Sequence, residues 1–163
     1  MSHATFNEKR LDKGELAVMY NRSSCSLALS AVEGAMLASY ESLLCGTPVV
    51  TTASRGGRDE FFDRNNSIII EPDEDALFAA VEHYKSSPPE PENIRAGTLA
   101  KTDLHRRRFC GYVAELITRH GGGTISAERL YQRYFGKPGG ISTRFIWADT
   151  FDKHEQLARV QND

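Results

Sequence analysis

Along the first half of the chain the apolar positions switch between two periods, and each switch marks an element. Over Asp12–Tyr20 the run DKGELAVMY puts Leu16, Met19 and Tyr20 on one helical face, which predicts a helix ending near Asn21. Cys25–Ser30 is short, apolar and bounded by polar residues, the pattern of a buried strand in a parallel sheet. Met36, Leu37, Tyr40, Leu43 and Leu44 then recur at helical spacing, and Cys45-Gly46 supplies a stop. After Thr47-Pro48, Val49–Thr52 predicts a second strand. Gly56-Gly57 opens a short helix around Arg58–Phe62, Asn65-Asn66 makes a turn, and Ser67–Glu71 is a third, β-branched strand. Asp73–Lys85 is helical again, with Leu77, Phe78, Val81 and Tyr84 on the side expected to be buried.

Strands alternating with helices at this spacing require a parallel sheet with helices packed over it, so the fold class is α/β and Rossmann-like. Pro88, Pro89 and Pro91 make Ser86–Glu92 a surface connection. Beyond it a helix is expected over Thr102–His120, carrying Leu104, Phe109, Val113, Leu116 and Ile117 and ended by Gly121-Gly122-Gly123. Ser126–Phe135 and Asp152–Val160 read as helices, joined by Gly136–Gly140 and the β-like Thr143–Trp147. The organisation expected is a partial Rossmann-like ligand-binding domain over residues 1–90 and a mostly helical C-terminal extension over 91–163.

Composition narrows the partners. At 40% hydrophobic and 26% charged, 163 residues suffice for a real core. A net charge of -2 leaves no basic footprint for nucleic acid, and Arg106-Arg107-Arg108 reads as a solvated helix face. Cys25, Cys45 and Cys110 are an odd set without C-x-x-C spacing, which points to reduced, cytoplasmic thiols rather than disulfides or zinc. His3, His83, His105, His120 and His154 share no ligand spacing, and Asp73-Glu74-Asp75 opens a helix after Pro72, where acids act as caps; no metal is expected. The N-terminal residues lack a signal-peptide core and eighteen uncharged apolar residues never run together, so the expectation is a soluble or at most membrane-peripheral protein.

The chemistry is concentrated between Leu29 and Val50. A strand ending at Ser30 and a helix beginning just after Glu33 would leave the amides of Gly34, Ala35, Met36 and Leu37 as orphan donors at a positive helix end. That end would lie at the carboxyl edge of a parallel sheet, where open α/β folds bind ligands and where phosphate is welcome. On one helix, Glu33 and Glu41 would be separated by about 12 Å of rise and roughly 80° of rotation. The separation suits the two ends of one extended ligand, since paired glycosidase carboxylates stand only about 5–9.5 Å apart. Both carboxylates must then face the mouth, each taking a sugar diol. Ser30, Arg55, Gly56 and Gly57 are candidates for the phosphate side; the glycine pair either turns the chain or approaches the ligand.

Two glutamates separated by seven residues, then Cys45-Gly-Thr-Pro-Val-Val-Thr51 and Gly56-Gly57 before a short acidic helix, resemble the signature of glycosyltransferase family 4, the group 1 glycosyltransferases. Leu16–Tyr20 and Asn65–Ile69 extend the likeness. The resemblance implies the C-terminal, donor-binding domain of a retaining GT-B enzyme. Such an enzyme transfers a hexose from a nucleoside-diphosphate sugar to an acceptor hydroxyl, in building a polysaccharide or glycoconjugate. It implies that Glu33 meets the transferred sugar, that the following amides hold hydroxyls and phosphate, and that Glu41 takes the ribose diol, with no bound metal or other cofactor. Where the family has Phe-Gly, this chain has Ala35-Met36. The resemblance also implies an acceptor domain and first donor-domain strands ahead of residue 9, so the expectation is a piece of a longer enzyme, a truncated reading frame or one part of a split enzyme. The alternative is therefore a nucleotide-sugar-binding fragment without catalysis of its own, and self-association over the exposed sheet edge is expected.

Overall fold

In a computed structural model of the protein, residues 8–34 and 36–136 are described. The chain divides into two compact units, which among the described residues hold 8–95 and 96–136.

The first unit is built on a three-stranded parallel sheet in the order β1 (Ser26–Ala28), β2 (Val49–Thr52), β3 (Ser67–Ile70). Leu27, Val50 and Ile68 stand in register, as do Ala28, Thr51 and Ile69, so the two sets point to opposite faces. On one face Ala28 and Val49 pack with Leu43 of helix α2 (Leu37–Leu44) and with Ile94. On the other, Val50 packs with Ala80 and Tyr84 of α3 (Glu74–Ser86). Helices on both faces of a parallel sheet make the unit Rossmann-like, as the alternating periods predict.

Two helix faces differ from expectation. In α1 (Lys13–Asn21), Ala17 and Tyr20 are buried while Met19 is 40% exposed. Tyr20 is drawn in by hydrogen bonds at both ends: its hydroxyl donates to the Ala38 carbonyl at 3.1 Å, and its carbonyl accepts from the Thr47 hydroxyl at 2.9 Å. In α3 the small Ala80 faces the sheet, and Phe78, about 200° away around the helix, is 60% exposed. The acidic cap expected after Pro72 is present, Asp73 accepting from the Ala76 amide at 2.9 Å to begin α3, and at α1 Asp12 and Glu15 form a reciprocal box.

Helix α4 runs from Pro91 to Arg119, starting well before the expected Thr102. Proline at the first helical position lacks an N–H that the helix would leave unbonded anyway, so Pro91 begins the helix instead of breaking the chain. Its first turn belongs to the sheet unit: Ile94 is buried, and the Arg95 guanidinium donates to the Leu44 carbonyl at 3.0 Å, at the negative end of α2.

The second unit holds the rest of α4 and α5 (Ala127–Tyr134), which Ser126 caps. The Arg107 guanidinium lies 4.2 Å from the Tyr131 ring centroid and pairs with Asp103 at 2.7 Å, while the Tyr131 hydroxyl donates to the same carboxylate. Gly121 (φ 75°) and Gly123 (φ 79°) end α4 in left-handed backbone. No helix of the described residues is long and apolar enough to cross a membrane. Thr143–Trp147 and Asp152–Val160 lie outside the described residues.

Candidate functional site

At the carboxyl ends of β1 and β2 two loops meet. After β1 the chain passes through Ala31–Gly34 before α2; after β2 it passes through Ala53–Gly57 before the 3-10 helix η1 (Arg58–Phe61). The loops run side by side: Val32 bridges Arg55 in parallel sense, the Arg55 amide donates to Ala31 O at 3.0 Å, and the Glu33 amide donates to Arg55 O at 3.1 Å. One step on, the Gly57 amide donates to Gly34 O at 3.1 Å. Gly56 makes the approach feasible. Its φ is +123°, and a Cβ there would stand 1.7 Å from the Glu33 carbonyl oxygen. Of the two roles left open for the glycine pair, close backbone approach therefore belongs to Gly56, and what it approaches is the Glu33 segment.

This pairing moves the helix end. Helix α2 begins at Leu37, with Met36 as its cap, and not directly after Glu33. Residues 31–34 spend their hydrogen bonds on residues 55–57, so they form a loop. The orphan amides of the first turn accordingly belong to Met36, Leu37, Ala38 and Ser39. Met36 offers these donors no side-chain cap. Gly34 contributes its carbonyl to Gly57, not an amide to a helix end. Ala35 lies outside the described residues. Glu33 and Glu41 do not share a helix, so the 12 Å rise and 80° rotation expected between them do not apply.

The two carboxylates sit in different surroundings. Glu33 is half-buried at the mouth, and one of its oxygens accepts from the Ser30 hydroxyl at 2.9 Å, which orients the side chain. Glu41 is only 6% exposed and is turned toward α1, where the charge of Lys13 acts on it. The expectation that both carboxylates stand open to one mouth is thus not met for Glu41. Burial raises the Glu41 carboxyl above its ordinary value, and the Lys13 ammonium draws it partly back. Burial, with the Glu41 and Cys45 charges adding to it, pushes the neighbouring Tyr20 phenol up to about 12, so it stays a donor to Ala38.

A raised folded-state value for an acid means that ionisation costs the folded state more than the unfolded one. Stability from this group is greatest below the ordinary carboxylate range and declines as pH rises through the folded value. Glu41→Gln is therefore expected to raise the urea midpoint at pH 7, with the gain vanishing near pH 4. A midpoint lowered at pH 7 would show Glu41 to be a net stabilising ion-pair partner.

Sequence reasoning missed Arg58. Its side chain is fully buried, and its guanidinium donates to the carbonyls of Ala28 (2.9 Å), Ser30 (2.8 Å) and Thr52, and to Asp59 at 2.8 Å. One cation thus gathers the ends of β1 and β2 and fixes the base from which Ser30 reaches Glu33. The available signal was an arginine immediately after the glycine pair. Arg55, by contrast, is exposed, and its backbone is what the site uses. Among the described residues no three histidines, cysteines or acids group as a metal site.

The family model for glycosyl transferases group 1 matches residues 3–99. No match was found among curated proteins or among solved structures.

Proposed function

Because the chain belongs to the group 1 glycosyl transferases, we propose that its first unit binds a nucleoside-diphosphate hexose and serves transfer of the hexose, with retention, to an acceptor hydroxyl. The observation that carries this reading is the locked pair of loops, Glu33-Gly34 against Gly56-Gly57, ahead of a helix start without a side-chain cap. Backbone amides at such an end are donors fixed in advance, and they favour the charge that develops on a departing diphosphate. The reading puts the sugar against Glu33, whose second oxygen is available for a hexose hydroxyl, and the diphosphate against the amides from Met36 to Ser39. Glu41 meets the ribose diol only by way of the α1 side, where Lys13 and Tyr20 lie.

Calorimetric titration with UDP- and GDP-hexoses tests the assignment. Glu33→Gln should weaken the nucleotide-sugar by roughly 10–100-fold, the worth of a hydrogen bond to a charged group, and free nucleotide far less. Glu41→Gln should weaken both alike. Absence of binding at millimolar donor would overturn the proposal, whereas binding without turnover in the presence of acceptors would assign this chain donor capture alone.

A further inference from the structure

The chain from Ser30 to Gly34 is pinned along its backbone. The Arg58 guanidinium donates to the Ser30 carbonyl at 2.8 Å, the Arg55 amide to the Ala31 carbonyl at 3.0 Å and the Gly57 amide to the Gly34 carbonyl at 3.1 Å. In return the Glu33 amide donates to the Arg55 carbonyl at 3.1 Å. One side-chain bond spans the same loop: the Ser30 hydroxyl donates to Glu33 Oε1 at 2.9 Å. Both side chains are half-buried.

A serine hydroxyl carries one proton and two lone pairs. The oxygens of an ionised diphosphate only accept, so a serine on the phosphate side must give its proton to the ligand. At Ser30 that proton lies on the bond to the Glu33 carboxylate. Moving it to phosphate would exchange one charge-assisted bond for another and bring two anions together. The bond does more where it is. A glutamate side chain has several free torsions, and a ligand that meets a rotating carboxylate must order it on binding. With the Glu33 backbone held by Arg55 and one oxygen held by Ser30, the other oxygen is set before a ligand arrives.

We infer that Ser30 belongs to the sugar end of the site and not to the phosphate side: it is a positioning residue that holds Glu33 ready for the hexose and acts on the ligand through Glu33 alone. The inference rests on the donor reading given above, in which the hexose lies against Glu33.

The first test needs no ligand. Three-bond couplings of the Glu33 side chain in the full chain should report one rotamer, averaged in Ser30→Ala and restored in Ser30→Thr, which keeps the hydroxyl. Ser30→Ala leaves untouched the backbone carbonyl that Arg58 holds, so the loop itself stays in place. A Glu33 rotamer indifferent to Ser30→Ala sinks the positioning role, whatever the protein binds. In calorimetry, Ser30→Ala should weaken UDP- or GDP-hexose roughly 3–10-fold, about the worth of one hydrogen bond, and leave free UDP or GDP unchanged. In a Glu33→Ala background the same change should cost nothing further, because the carboxylate it positions is gone. Additive losses in the double variant, or equal losses for the hexose donor and the free nucleotide, would return Ser30 to the phosphate side. No donor binding by the unaltered chain, with the Glu33 rotamer still dependent on Ser30, would overturn the donor reading and the sugar-end assignment with it, while the hold of Ser30 on Glu33 would stand.

Discussion

Replacing Arg58 with methionine should destabilise the protein by about 4 kcal/mol, within the range for removing one partner from a buried charged network. Methionine retains the apolar stem and much of the volume, so the loss isolates the guanidinium. Three backbone carbonyls, of Ala28, Ser30 and Thr52, would lose a charged donor where water does not replace it. Arg58→Lys should recover only part of the loss, since an ammonium lacks the planar fork that reaches several acceptors from one position. Urea unfolding followed by circular dichroism measures both, with the slope checked for constancy. A loss under about 1 kcal/mol for the methionine variant would show that the carbonyls find other donors and that Arg58 is not what gathers the strand ends.

The same residue shows where sequence reading stops. Val49–Thr52 and Ser67–Ile70 were legible because β-branched runs bounded by turn residues carry their own local signal, and the alternation of periods was enough for a parallel α/β sheet. The role of Arg58 has no local signal, because the carbonyls it gathers lie thirty, twenty-eight and six residues away in the chain. The start of α2 was misplaced for a related reason. Nothing in the periodicity of residues 31–36 shows that Arg55–Gly57 will pair with them and hold them out of the helix.

Glu41 shows a second limit. It shares a row of α2 with Leu37 and Leu44, four residues after the one and three before the other, yet Leu37 is 55% exposed and Leu44 fully buried. Helical spacing therefore does not by itself say on which side of the boundary this carboxylate falls. A pair formed by Glu33 and Glu41 on one helix also requires a helix that the pairing of the two loops removes. The glycine pair was recognised as significant without its partner being nameable, because close approach is a property of two segments and a sequence displays one at a time.

Gly56→Ala should cost on the order of 3–5 kcal/mol and disable the mouth, although it adds a single methyl group. Two penalties combine. A φ of +123° is a conformation that L-residues rarely adopt, and a Cβ in that position would stand 1.7 Å from the Glu33 oxygen and 2.9 Å from its carbonyl carbon. Both obstructing atoms are backbone, so no side chain can swing aside. The loops must separate, which sacrifices the hydrogen bonds from Glu33 N to Arg55 O and from Gly57 N to Gly34 O. Gly57→Ala is the control: its φ is −96°, and its Cβ would stand 3.4 Å from Gly34 O, an adjustment of a few tenths of an ångström. Its expected cost is below about 1 kcal/mol, as for an ordinary surface position. Urea midpoints for the two variants should therefore diverge widely, and donor titration of whatever Gly56→Ala protein stays folded should find the nucleotide-sugar affinity gone. Equal midpoints would mean that the 55–57 loop does not rest on Glu33, and the donor site would then lose the contact that holds it in shape.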